Sequence, residues 1–146
     1  MNAIIRYLIY MLLLIGFSCI ASAQTVIIVH PENTLEKASR ADISNIFLGK
    51  KTQWDGGGKI IAVDHKKDSK PGKAFLDVIV KMSENEYKNY WVEKMLSGEA
   101  EPPKNFSSDE DILKFVKANK GAIGYISAEN VQEGVKVIPV DDKKEW

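Results

Sequence analysis

The chain has 146 residues, with 20 basic and 20 acidic side chains, and is formally neutral at pH 7. Neutrality argues against a nucleic-acid partner, because such proteins need a basic excess to neutralise phosphates. A single cysteine rules out a disulfide framework and a thiolate metal centre, and the length suits one domain with its own core.

Met1–Ala23 reads as a leader rather than as part of the fold. Arg6 supplies a positive start, Tyr7–Ala21 is apolar but short for a membrane span, and Ala21-Ser22-Ala23 before Gln24 has the small-x-small pattern of a secretory cleavage site. The expectation is cleavage after Ala23, delivery to the periplasm, one domain over residues 24–146 and no membrane span left behind. Cys19 lacks the leucine three residues upstream that a bacterial lipobox carries, so the reading is export without lipidation. The exported chain then has no cysteine and, without Arg6, one more acid than base.

Thr25–His30 is a β-branched run that predicts a buried strand, ended by Pro31-Glu32-Asn33. Ser39 with Asp42 predicts a helix start; Ile43, Ile46 and Phe47 form its apolar face, and Gly49 its stop. Trp54–Gly58 is a turn, and Lys59–Val63 a second strand. Phe75, Leu76, Ile79 and Val80 give a helix from Ala74 its buried stripe. Ser83 and Glu86 form a capping box for the next helix, whose Tyr87, Tyr90, Trp91, Met95 and Leu96 recur at helical spacing and read as core. Gly98 stops it and Pro102-Pro103 forbids continuation. Ser107 and Glu110 predict a further capping box, with Ile112, Leu113, Phe115 and Val116 as core and Gly121 as the stop. Ala122–Ile126 and Val135–Val140 complete the strands. Strands alternating with helices predict an α/β layer fold with a largely parallel sheet, whose ligands bind beyond the carboxyl ends of strands.

Asp64–Lys73 lies at such an end. This segment holds Lys66, Lys67, Lys70 and Lys73 with His65, Ser69 and Gly72 between a strand and a helix. A helix start offers unpaired N–H groups and a positive dipole end to an anion; the alternative is a solvated basic turn. Elsewhere the chemistry is sparse. His30 and His65 have no zinc-pair spacing, His30 reads as structural, and no nucleophile elbow, P-loop or HExxH motif occurs. The carboxylates Glu84, Glu86, Asp109, Glu110 and Asp111 fall in first turns of helices and read as caps. Neither an enzyme, a cofactor nor a metal is indicated, and a hydrolase lacks a nucleophile–base pair.

Taken in order, several segments resemble the phosphate-type solute-binding proteins of bacterial ABC transporters. They are Asp42-Ile43-Ser44-Asn45-Ile46-Phe47-Leu48-Gly49-Lys50 with Trp54, Ile61-Ala62-Val63 with the serine loop and Phe75, Tyr90-Trp91, Pro102-Pro103-Lys104, and Gly121-Ala122-Ile123-Gly124-Tyr125-Ile126. The resemblance runs from about Thr25 to Val140. It implies an α/β fold, one lobe of a periplasmic-binding-protein-like (type II) clamshell, with a mixed, largely parallel sheet flanked by helices. Short, single-lobe-sized relatives share this motif order.

The family's phosphate loop, Arg-x-x-x-Ser-Gly-Thr, is carried over in part. Its serine falls on Ser69, six residues before Phe75, its arginine on His65, its glycine on Lys70 and its threonine on Pro71. Histidine lacks arginine's permanently charged fork, and proline has neither hydroxyl nor N–H. The implied ligand-binding set is His65, Ser69, Lys70, Gly72 and Lys73. Ser69 and the N–H groups of Lys70, Gly72 and Lys73 would hold phosphate or another oxyanion, and the lysines would attract it. The implied partner is an ABC permease, and a homodimer with facing Ser69 loops would rebuild the clamshell. The alternative reading is an envelope accessory protein, built on one lobe that has lost high-affinity phosphate binding, with an envelope protein as partner.

Overall fold

The computed structural model describes residues 24–146; the leader expected at Met1–Ala23 lies outside them. Strand β1 is Thr25–Val29, and its alternate side chains are buried on opposite faces, Val26 and Ile28 on one and Ile27 and Val29 on the other. That two-sided burial is why it reads as an unbroken apolar run. Helix α1 is Arg40–Phe47, opened by Ser39 and Asp42 in a reciprocal cap. Strand β2 is Ile61–His65, two residues later than the run Lys59–Val63 suggests, because Gly121 O accepts from Ile61 N–H at 2.9 Å and the ladder begins there.

Helix α2 is Lys70–Phe75 and continues as a π-helical turn, Leu76–Val80, closed by Lys81 in the left-handed region. It starts well before Ala74. Ser69 is its cap, and Pro71 sits in the first turn, where a missing N–H costs nothing. Gly72 is buried there; a Cβ would lie 2.7 Å from the Lys66 carbonyl oxygen. The expected ten-residue loop is therefore a four-residue turn, Lys66–Ser69, between a strand and a helix.

Helix α3 is Glu84–Ser97, with the Ser83–Glu86 capping box and Gly98 as its left-handed stop. Tyr87 and Trp91 are core, but Met95 and Leu96 are exposed, against the core reading of that stripe. Strand β3, Lys104–Phe106, was not predicted; α4 is Asp109–Ala118, capped by Ser108 rather than Ser107. Strand β4 is Ala122–Ser127 and β5 is Lys136–Ile138. Gly121 is not the stop of α4, which Asn119 ends. It lies where the backbone of Lys59 passes too close for any side chain.

The five strands form one sheet in the order β3-β2-β4-β1-β5. The pairs β3–β2 and β2–β4 are parallel, whereas β4–β1 and β1–β5 are antiparallel. The sheet is mixed, as expected, and its parallel part is the half that carries the end of β2. Helices α1, α2 and α3 cover one face around Phe47, Phe75, Tyr87, Trp91 and Tyr125. Helix α4 covers the other through Ile112, Leu113 and Val116.

Candidate functional site

Consecutive residues of a strand point to opposite faces, and at the end of β2 this splits two buried polar side chains. Asp64, 1 % exposed, turns into the layer of α1–α3, and His65, 2 % exposed, turns towards α4. Each meets a distinct set of partners.

The Asp64 carboxylate accepts from Tyr87 Oη at 2.9 Å, from Tyr125 Oη and from Lys67 Nζ, with which it forms an ion pair. Lys67 Nζ also lies 4.3 Å from the centroid of the Tyr87 ring. Burial, and then the Asp64 charge, push both tyrosine phenols well above their ordinary range. Burial lowers the Lys67 ammonium despite the opposing pull of Asp64. Tyr125 Oη in turn accepts from the His65 N–H at 3.3 Å, so this network fixes the backbone that presents His65.

His65 Nε2 lies 2.7 Å from Asp109 Oδ1, at the start of α4. Nε2 is thus within pairing distance of the carboxylate, whereas Nδ1 has no hydrogen-bond partner among the described residues. Asp109 is held from elsewhere: its Oδ2 accepts from Ser127 N–H at 3.0 Å and from Asn130 Nδ2 at 2.7 Å. Burial alone would raise its carboxyl, but His65, Asn130 and the Ser127 N–H outweigh this and hold it below the usual carboxylate range. Asp109 is thus a tie between β2, α4 and the end of β4, not a helix cap as its position suggests.

These groups line an open cleft of about 680 Å³ beyond the carboxyl end of β2. Ser69 and Pro71 form one wall, the start of α4 another, and Lys114, Lys117 and Gln132 lie along its far side. Of the residues singled out from the sequence, His65 and Ser69 share this cleft. Lys70, Gly72 and Lys73 do not line it: Lys70 is exposed, Gly72 is packed under Lys66, and Lys73 borders a separate depression with Lys67 and Glu84.

The serine turn is closed on itself. Ser69 Oγ donates to the Lys66 carbonyl at 2.6 Å and accepts from Gly72 N–H at 3.1 Å, while Lys73 N–H donates to the Ser69 carbonyl at 3.0 Å. Lys70, the first helical residue, keeps one of the amides that a helix start leaves without an intrahelical partner. His30, read as structural, accepts from Glu32 N–H through Nδ1. Among the described residues no group of three or more His, Cys, Asp or Glu side chains is placed to hold a metal ion.

Sequence reasoning missed Asp109, Ser127, Asn130, Lys117 and Gln132 as cleft residues. Their local patterns carry no signal beyond helix capping and polar loop composition.

Comparison with solved structures gives matches over 82 % of this chain. One is a phosphate ABC transporter substrate-binding protein from Clostridium perfringens, solved with bound phosphate, at 25 % identity and a TM-score of 0.67. The likeness is to phosphate-type substrate-binding proteins. An ABC-type phosphate transport receptor from Vibrio cholerae matches at 19 % identity and a TM-score of 0.66, and PstS from Borrelia burgdorferi at 13 % and 0.64. The chain spans about half the length of these relatives, 46 %, 47 % and 48 % in turn. Its fold is that of one lobe of such a protein, as the resemblance implied, and these relatives are binding proteins rather than enzymes. No family model and no curated protein matches the sequence. Among the described residues no helix is long and apolar enough to cross a membrane.

Proposed function

We propose that the chain is an exported, periplasmic solute-binding-like protein of the phosphate-transport type, which takes phosphate or another oxyanion in the cleft beyond β2. The observation that carries this reading is the position of that cleft. It opens at the carboxyl end of a strand with parallel neighbours on both sides, where α/β sheets bind ligands. The bound phosphate of the Clostridium perfringens relative supports the choice of ligand.

In this reading Ser69 approaches the anion from one wall, and His65 supports the floor. Lys114 and Lys117 supply positive charge from α4. The amides of Gly72 and Lys73 join only if the Ser69 cap opens, because both are engaged within it. A site with so few free donors, and with the carboxylates of Asp109 and Glu110 nearby, holds an anion weakly. The expected dissociation constant is about millimolar, worth about 4 kcal/mol. A second copy or a permease completes the enclosure.

Titration calorimetry of the natively processed protein with phosphate and with sulfate tests this. Ser69→Gly is the informative variant, since it removes the hydroxyl yet weakens the helix cap by only about a few tenths of a kcal/mol. Millimolar binding reduced by Ser69→Gly and by Lys117→Ala supports the reading. An absence of heat at millimolar phosphate, or binding indifferent to both changes, sinks it.

One observation favours a second reading, an accessory lobe of the cell envelope that has lost tight phosphate binding: the serine turn satisfies its own hydroxyl and the Gly72 and Lys73 amides. Recovery of a stoichiometric envelope partner by crosslinking, together with silent calorimetry, would favour it.

A further inference from the structure

The cleft offers far more space than a four-oxygen anion fills. At about 680 Å³ it lies in the range that encloses organic ligands of many heavy atoms. Its lining also mixes two kinds of group. Lys114 and Lys117 are cationic, but each already has an acceptor in the same cleft: Lys114 Nζ is 2.8 Å from Glu110 Oε1, and Lys117 Nζ is 3.3 Å from Gln132 Oε1. Carboxylate and amide oxygens accept hydrogen bonds and repel a bare anion. They are suited to ligand hydroxyls, which donate.

The floor holds a further sign of an incomplete site. His65 is 2 % exposed and lines the cleft; its Nε2 faces Asp109 Oδ1, but its Nδ1 has no hydrogen-bond partner among the described residues. Buried polar atoms left unpaired are rare in native proteins. Pro71 adds apolar surface between the polar groups, against which the C–H groups of a polyol can lie.

We propose that the ligand is a hydroxyl-bearing organic phosphate monoester, a phosphorylated polyol or sugar, rather than the free inorganic ion; this rests on the reading of the cleft as an oxyanion site. The phosphoryl group meets Lys114, Lys117 and the Ser69 wall. The hydroxyls donate to Glu110 and Gln132, and the serines of the α4 start contribute either as donors or as acceptors. An ester thus gains bonds from acceptors that an inorganic anion leaves unused.

Calorimetry on the natively processed protein compares inorganic phosphate, glycerol 3-phosphate, glucose 6-phosphate and unphosphorylated glycerol and glucose. The expected result is that at least one ester binds about tenfold or more tightly than inorganic phosphate, the gain of a net hydrogen bond or two, while the free polyols give no heat. Gln132→Ala, at an exposed position, should weaken the ester without weakening inorganic phosphate, because it removes a hydroxyl acceptor and at the same time frees Lys117 from that acceptor; Lys117→Ala should weaken both. Unaltered thermal unfolding of each variant confirms that the fold is intact. Inorganic phosphate binding as tightly as every ester overturns this proposal and leaves the oxyanion reading standing. Failure of every phosphate compound to bind overturns both, and ester binding untouched by Gln132→Ala and Lys117→Ala removes the ligand from this cleft.

Discussion

Replacing Asp64 with alanine should cost this fold a large part of its stability. The carboxylate is 1 % exposed and serves two tyrosine hydroxyls and the Lys67 ammonium, whose side chain is itself 16 % exposed. Breaking a buried ion pair by removing one partner costs about 3–5 kcal/mol. Tyr125 Oη then keeps no carboxylate acceptor, and each buried group left unsatisfied adds about 1–3 kcal/mol. Tyr87 retains a partner, because its hydroxyl also lies 3.3 Å from the Phe47 carbonyl oxygen. The sum is about 4–8 kcal/mol, against a total of about 5–15 kcal/mol for a typical domain. Urea unfolding at pH 7, followed by tryptophan fluorescence, reads the change as a lower midpoint at unchanged slope. The double variant Asp64→Ala, Lys67→Met removes both charges and should recover about 1–3 kcal/mol of the loss. A cost below about 1 kcal/mol for Asp64→Ala, or strict additivity in the double variant, would refute the claim that this network is a coupled, desolvated unit.

Three other outcomes follow from the same structure. Gly124→Ala should destabilise by about 1–3 kcal/mol by overpacking, measured by thermal unfolding, because the new Cβ would sit 2.8 Å from Ile112 Cγ2 and 2.9 Å from Val63 Cγ2. Tyr87 and Tyr125 have phenols raised above their unfolded value, so the neutral form is favoured in the folded state. Their contribution is full below about pH 10 and declines as the pH rises above it. Urea midpoints should therefore fall above pH 10, and more shallowly in Tyr87→Phe; a flat profile contradicts this. Leu96→Lys should change stability by no more than about 0.5 kcal/mol, since Leu96 is 84 % exposed on the outer face of α3; a loss of several kcal/mol would restore its reading as core.

What could be read from the sequence was what a few neighbouring residues determine. Ser39 with Asp42 and Ser83 with Glu86 form the reciprocal caps that their spacing predicts, and Gly98 turns left-handed where its helix must end. Each of these is a contact within one helical turn. The same locality explains the slip at Ser69. Its cap bond to Gly72 is a three-residue signal, but four surrounding lysines and a proline masked it as a loop. The ordered motif resemblance carried further than periodicity did, since it implied the lobe that the solved structures match.

The sequence by itself determined the α/β pattern, the apolar faces, the helix caps and the neighbourhood of His65 and Ser69, because these depend on residues a turn or a strand apart. The tertiary structure alone decided three things. Lys104–Phe106 is a strand only because Val63–His65 lies beside it. Asp64 is a buried hub only because Tyr125, 61 residues away, reaches it. Asp109 faces His65 in a cleft instead of capping its own helix. In each case the partner is distant in the chain, and the free energy of desolvating a charge depends on what the fold brings next to it, which no local spacing records.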